Sequence, residues 1–338
     1  MEKIRVGVIG IGQMGELHAG IYQKLPFVEL AAVCEKQPDK LEAACKRFGC
    51  QGYQDYRQLL DDPEISAVSI VLPDNMHLDA VSYAIQRGKH ILLEKPIAKE
   101  LADGEKIYSL VKNYDKVFTV GFLLRYDPRF CAVKKALDEG RMGDIIHIYS
   151  RRNSPIIGPR RYIGMSNLSM HVMIHDIDYI NLFMGCQPLT VYAKSRRVRL
   201  KDYQMDDVIY ALVTYENGAV ACMEACWVLP ENSPSIIDDR MELIGTKGAA
   251  YIEPCDKGVK LIEESGAVTY PDSRHWYHVN GLPAGDLSEE ILAFVSDILN
   301  GRKSVVTPKQ ALDSLRVVDA IERSLLEGRE IELKEGVL

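Results

Sequence analysis

Ile4-Arg5-Val6-Gly7-Val8-Ile9-Gly10-Ile11-Gly12-Gln13-Met14-Gly15-Glu16-Leu17-His18-Ala19-Gly20-Ile21-Tyr22 passes from an apolar run, through three spaced glycines, into a helical pattern. The run Ile4 to Ile9 predicts a buried parallel strand, and Glu16 to Tyr22 predicts a helix. The first glycine of such a motif makes the tight strand-to-helix turn, the second lets backbone approach a pyrophosphate, and the third lets helix and strand pack closely. The helix N-terminus then presents free N–H groups and the positive end of its dipole to phosphate. Glycine-rich turns are common, so the context decides. The next apolar run, Val28 to Cys34, ends at Glu35, twenty positions after Gly15. A dinucleotide-binding fold places there the acid that holds the adenosine ribose. Glu35 would accept from the ribose hydroxyls and repel a 2′-phosphate, so NAD is expected in preference to NADP, with Lys36 softening the exclusion.

The 338 residues suggest two domains with ample core. Apolar residues at 47% and charged residues at 26% fit an ordinary soluble globular protein. A net charge of −7 argues against a nucleic-acid partner, which would call for a basic face. No apolar stretch approaches the roughly 20 residues that span a bilayer. The start, Met1-Glu2-Lys3-Ile4, shows no signal-peptide pattern, and the eight cysteines include no CxxC pair. Scattered thiols of this kind read as reduced core residues, so a cytoplasmic location is expected.

Strand and helix signals alternate through the first 120 or so residues: a helix over Pro38–Phe48, a strand over Ala67–Leu72 stopped by Pro73, a helix over His77–Arg87, a strand over His90–Leu93, a helix over Glu100–Asn113 and a strand over Val117–Gly121. Such alternation gives a doubly wound parallel sheet, the α/β Rossmann arrangement. The second half reads as α+β with a mostly antiparallel sheet. Helices are expected over Pro128–Glu139 and Ser169–Met184, and strands over Asp144–Arg152, Thr190–Leu200, Val208–Tyr215, Ala219–Val228, Asp238–Gly245 and Ala249–Glu253. Helices return over Leu287–Leu299 and Pro308–Leu326. The domains are placed at 1–122, binding dinucleotide, and 123–338, binding substrate and building oligomers. The strand Val208–Tyr215 is apolar on both faces, which predicts cover on both. A second subunit is the simplest cover for the outer face, giving a homodimer or homotetramer.

Glu94-Lys95-Pro96 follows a predicted parallel strand, and ligands of open α/β sheets bind at the carboxyl ends of strands. A lysine there would point at the nicotinamide end and could hydrogen-bond a substrate hydroxyl as alkoxide develops. The order of GxGxxG, Glu94-Lys95-Pro96 and the helix Ser169-Met170-His171-Val172-Met173-Ile174-His175-Asp176-Ile177-Asp178 resembles the Gfo/Idh/MocA family of oxidoreductases over essentially the whole chain. Pro73, Gly121-Phe122, Arg125-Tyr126 and Gly245-Thr246-Lys247-Gly248-Ala249 belong to the same resemblance.

The resemblance implies an NAD(P)-dependent oxidation of a sugar or polyol hydroxyl, with Lys95 matching the family's EKP lysine and His175 its catalytic histidine. It implies cofactor contacts from Gly10, Gly12, Gln13, Met14 and Gly15, from Glu35, from Pro73 and His77, and from Glu94, Lys95 and Pro96. It implies substrate contacts from His171, Arg125, Tyr126, Arg152 and Tyr162. One position departs from the family pattern: its usual aspartate four residues before the histidine is here His171, and the usual glycine two before is Met173. Neutral His171 cannot supply the negative charge that would favour a charged His175.

Two further patterns keep alternatives open. His171 and His175 stand at i and i+4, a spacing that suits a metal, with His275 and His278 as further ligands, but no Cys or HExxH pattern supports one, and no metal is expected. Arg151-Arg152 and Arg160-Arg161 flank the segment 153–159, and paired guanidinium groups suit phosphate or carboxylate, as in a nucleotide-linked sugar. Subunit salt bridges are the other use for them. A non-catalytic dinucleotide sensor and a lyase or hydrolase that uses NAD transiently complete the alternatives.

Overall fold

Short, largely buried apolar runs build the centre of the first sheet. In the computed structural model, which describes residues 3–253 and 258–333, six strands lie in the order β3-β2-β1-β4-β5-β6. They are β1 (Ile4–Ile9), β2 (Val28–Cys34), β3 (Gln51–Tyr53), β4 (Ala67–Ile70), β5 (His90–Glu94) and β6 (Phe118–Gly121). Every neighbouring pair is parallel. The chain moves outward from β1 to β3 and then returns to the other side of β1, so the order reverses between β1 and β4. That reversal is where an open α/β sheet leaves a crevice for a ligand. Helices α1 (Gln13–Tyr22), α2 (Pro38–Phe48), α3 (Tyr56–Asp61), α4 (His77–Gln86) and α5 (Leu101–Val111) make the crossovers.

By packing, the chain divides into one unit of residues up to Tyr126 with His275–Leu312, and another of Asp127–Arg274 with the residues from Asp313 on. The sequence suggested a single boundary after residue 122; the first unit also takes in the segment 275–312. Within that segment α8 (Asp286–Asn300) contributes Leu287, Ile291, Phe294 and Val295 to one hydrophobic cluster with Val6, Val8, Ala19 and Tyr22. Met1 and Glu2, part of the start read for a signal-peptide pattern, lie outside the described residues.

In the second unit α6 (Pro128–Asp138) begins with Pro at its first position and with the Asp127 carboxylate accepting from Arg129 N–H at 2.8 Å. Its sheet contains β7 (Ile145–Pro155), β8 (Pro188–Arg196), β9 (Val208–Tyr215), β10 (Val220–Leu229), β11 (Asp238–Gly245) and β12 (Ala249–Ile252). The order is β12-β11-β7-β10-β9-β8, closed by the two-residue strand Ile331–Glu332. The β7–β10 pair is parallel and the other pairs are antiparallel, so the sheet is mixed. Along β9, Ile209, Ala211 and Val213 are buried, while Tyr210 and Leu212 are 48% and 47% exposed. The cover expected on both faces is therefore present on one face within this chain. Helices α7 (Ile174–Met184) and α9 (Pro308–Glu327) complete the set.

Candidate active site

The three glycines of the first turn do three different things. Gly10 has φ of +95°, and a Cβ there would lie 2.3 Å from the carbonyl oxygen of Val71, at the end of β4. A Cβ on Gly15 would fall 1.9 Å from the Gly10 carbonyl oxygen, so the start of α1 sits directly on the turn. Gly12 is different: it is exposed, its φ of −81° suits any residue, and an added Cβ would meet nothing within 4 Å. Nothing in the protein itself demands glycine at position 12, whereas a phosphate approaching the backbone would. Gln13 and Met14 open the helix just behind it. Glu35 leaves the end of β2 and folds back to the turn, its carboxylate accepting from Gln37 N–H at 3.0 Å and from Ile11 N–H at 3.4 Å. The cradle, with the Glu35 carboxylate beside it at the end of β2, fits a dinucleotide such as NAD.

The ends of β4 and β5 carry the next group. Pro73 leads into a short turn, Asp74–Met76, and then His77 begins α4. His77 is fully buried, with Nδ1 2.9 Å from the carbonyl oxygen of Pro96 and Nε2 2.9 Å from that of Leu72. Its ring therefore sits between the loops after β4 and β5, with a carbonyl acceptor beside each nitrogen. Lys95 is half-buried, and its peptide bond to Pro96 is cis. Asp74, which the motifs did not flag, shares this neighbourhood. Burial pushes its carboxyl above the ordinary 3.8, against the pull of charge on His77, Lys95 and Lys99. Arg125 and Tyr126 lie in a short 3₁₀ turn of the same unit; Arg125 is buried and donates from Nη1 to Gln310 Oε1 at 3.4 Å.

In the second unit the helix expected over 169–184 is two structures. Ser169–Met173 is a π-helical turn, and α7 proper begins at Ile174. π-turns inside helices recur at functional sites. Here the Asn167 side chain holds the entry, its Oδ1 accepting from Met170 N–H and the Ser169 hydroxyl, both at 2.9 Å. The Ser169 hydroxyl also bonds the Glu322 carboxyl. His171 and His175, both half-buried, emerge from this stretch, and the His171 ring lies 3.8 Å, centroid to centroid, from that of Tyr162. Two of the residues read as substrate contacts are thus brought together.

The arginines have partners. Arg152 is buried and its Nε donates to Asp176 Oδ2 at 2.6 Å, which braces the residue next to His175. Burial still pushes the Asp176 carboxyl above its ordinary value, against the guanidinium beside it. Arg151 pairs with both oxygens of Asp238 at 2.7 and 2.6 Å, and Arg160 pairs with Glu231 at 3.0 Å. The Arg161 side chain is outside the described set. The grip imagined for an anionic substrate is, at these three positions, a set of ion pairs with the chain's own acids.

Among the described residues, one group of three possible metal ligands comes together, and it is not the His171–His175 pair. It is His18, Glu94 and Glu290, all buried in the first unit. Nε2 of His18 is 3.1 Å from Glu94 Oε1, and the other Glu94 oxygen accepts from Lys95 N–H at 3.1 Å. Both Glu94 oxygens thus already accept hydrogen bonds within the chain. The sequence carried one signal for this cluster: Ser69, a lone polar residue in the apolar strand β4, which bonds His18.

Residues 4–122 match the family model described as an oxidoreductase family with an NAD-binding Rossmann fold, and residues 130–251 match the GFO/IDH/MocA C-terminal domain. Levoglucosan dehydrogenase of Pseudarthrobacter phenanthrenivorans is 33% identical over 67% of this chain and 68% of its own. Myo-inositol 2-dehydrogenase of Thermotoga maritima is 28% identical over 99% of this chain and 100% of its own. The crystal structure of scyllo-inositol dehydrogenase from Lactobacillus casei, with bound NAD(H) and scyllo-inositol, superposes with a TM-score of 0.86 at 25% identity, covering 98% of this chain and 99% of that one. The chain therefore belongs to the Gfo/Idh/MocA family of NAD-binding oxidoreductases.

Proposed function

We propose that this protein is an NAD-dependent dehydrogenase of the CH–OH groups of sugars or inositol-type polyols in which His175 takes the hydroxyl proton and Lys95 donates a hydrogen bond to the oxygen. Bound NAD supplies the acceptor for the hydride. The observation that carries the cofactor half is the glycine turn, where positions 10 and 15 are crowded by the protein and position 12 is open. Glu35, at the end of β2, favours NAD over NADP because like charges set against each other cost roughly several kcal/mol. The relatives that oxidise inositols and levoglucosan support a neutral polyhydroxylated substrate. So does the pairing of Arg151, Arg152 and Arg160 with acids of the same unit.

His175 suits a proton acceptor because it is half-buried at the start of α7 behind a π-helical turn fixed by Asn167 and Ser169. Lys95 suits an oxygen contact because an ammonium near a developing alkoxide stabilises charge that the ground state lacks. His171 and Tyr162, whose rings lie in contact with their planes inclined at 37°, offer one donor-acceptor ring and one phenol to the other hydroxyls of a polyol. No metal takes part in this scheme. Screening inositols, hexoses, anhydrosugars and nucleotide sugars for absorbance of reduced nicotinamide tests the reading. Turnover of a neutral polyol supports it, and turnover of nucleotide sugars alone replaces it with the anionic alternative.

The same reading includes a homo-oligomer joined through the outer face of the second sheet, and a cytoplasmic location. Ile146, Leu189, Tyr210, Leu212 and Tyr251 are all more than two-fifths exposed on strands of that sheet. Among the described residues no helix is long and apolar enough to cross a membrane. Light scattering that returns a monomer mass at micromolar concentration would remove the oligomer from the account.

A further inference from the structure

A buried polar cluster beneath the first turn runs from α1 to the backbone N–H of Lys95. His18 lies on the second turn of α1 and is completely buried. A leucine there would fill the space without partners, whereas a buried imidazole requires them. Its Nδ1 is 3.1 Å from Ser69 Oγ on β4, and Ser69 Oγ is 2.8 Å from the Tyr22 hydroxyl. Its Nε2 is 3.1 Å from Glu94 Oε1, and Glu94 Oε2 accepts from Lys95 N–H at 3.1 Å. One proton arrangement uses every group. Tyr22, held as a phenol by burial, donates to Ser69; Ser69 donates to Nδ1 of a neutral His18; Nε2–H donates to Glu94; and Lys95 N–H completes the carboxylate.

Gly121 leaves the space beside the Glu94 carboxylate free of a side chain. Gly121 pairs with it across the sheet, and a Cβ there would lie 3.4 Å from Glu94 Oε1 and 3.3 Å from Oε1 of the buried Glu290. The carboxylate thus lies beside the Gly121 backbone and near a second acid, with one oxygen held by the His18 ring and the other by the Lys95 N–H.

We propose that His18 is a positioning residue for Lys95: by orienting the Glu94 carboxylate it fixes the backbone from which the Lys95 side chain departs. The inference rests on the reading of Lys95 as the contact to the reacting oxygen. It also makes α1 a common support, since the helix that begins at the dinucleotide turn carries at its second turn the ring that steadies the lysine.

Two conservative variants separate the two sides of the ring. His18→Gln can still place an amide N–H where Nε2 stood and reach Glu94. His18→Asn reaches only as far as Nδ1 and keeps the Ser69 contact. Steady-state kinetics with NAD and the polyol that the wild-type enzyme turns over fastest, with melting temperatures alongside, compare both variants with wild type, with Lys95→Ala and with the double variant His18→Asn/Lys95→Ala. The expected result is that His18→Asn lowers kcat by about tenfold or more with the KM for NAD little changed, while His18→Gln restores most of it. In the Lys95→Ala background, His18→Asn should cost nothing further, because residues acting as one unit are not additive. Equal losses in Gln and Asn variants, or losses that multiply with that of Lys95→Ala, would overturn the positioning role while leaving Lys95 in place. Wild-type turnover by Lys95→Ala would instead remove the reading on which the inference rests.

Discussion

Replacing Gly12 with alanine separates what the protein needs from what the cofactor needs. The new Cβ would meet nothing within 4 Å, and the backbone at φ −81° and ψ −167° suits alanine as well as glycine. The folded state should therefore tolerate the change to within about 0.5 kcal/mol, as for an exposed position without special geometry. If a pyrophosphate lies against that backbone, the methyl group must displace it. Forcing a methylene-sized group into a close contact costs typically about 1–3 kcal/mol, and each 1.4 kcal/mol is about a tenfold change in affinity. NAD affinity should thus fall by roughly 5- to 150-fold while the denaturant midpoint stays put. Gly15→Ala is the contrast, since its Cβ would lie 1.9 Å from the Gly10 carbonyl oxygen and the turn itself must move. Isothermal titration with NAD and urea unfolding of both variants provide the test. A Gly12→Ala protein that binds NAD as tightly as wild type would refute the placement of the pyrophosphate against this turn.

Other expectations follow from the second unit and from the cofactor chemistry. Arg152→Met leaves Asp176 buried without its guanidinium and should cost about 3–5 kcal/mol, read as a lower urea midpoint at unchanged slope; an unchanged midpoint would mean that the pair does not brace the helix. Burial raises the Glu322 carboxyl above its ordinary 4.5, so the folded state holds that proton more tightly than the unfolded chain. Its contribution to stability is then present below the ordinary value and lost as pH rises through the folded one. Glu322→Gln, which keeps a partner for Ser169, should flatten the decline in melting temperature over that range, and an unaltered pH profile would contradict the assignment. Dialysis against a chelator should leave turnover intact; activity lost and restored by zinc or manganese would turn attention to metal ligation.

Much of the architecture is legible because local chemistry and burial agree. Pro38 at the first helical position and Gly49 at φ +65° bound α2 just as the spacing suggests. β4 and β5 read as near-continuous apolar runs, and Ala67, Val68 and Ile70 and Ile91, Leu92 and Leu93 are all buried. Illegible parts are those where the deciding partner is distant in sequence. Arg151 finds Asp238 87 residues away and Arg152 finds Asp176 24 away, so a row of arginines that looks like an anion grip becomes a set of ion pairs. β3, with Gln51 and Gly52 exposed at the sheet edge, offers no apolar pattern to detect. The π-helical turn before α7 leaves no mark either; at its entry the Ser169 hydroxyl meets Glu322, 153 residues away on α9. His18 reads as one more helical residue until Ser69 and Glu94 are seen around it.

The most direct test of the account is turnover of NAD with inositols and related neutral polyols by wild-type protein and by His175→Ala. A positioned proton acceptor contributes roughly 10²–10⁴-fold to rate. The account predicts reduced nicotinamide formed by the wild type, and in the variant a kcat lower by about that factor, with NAD affinity from titration nearly unchanged because His175 lies on α7 and the dinucleotide cradle lies in the first unit. A His175→Ala enzyme that oxidises the same polyol at close to the wild-type rate would contradict it.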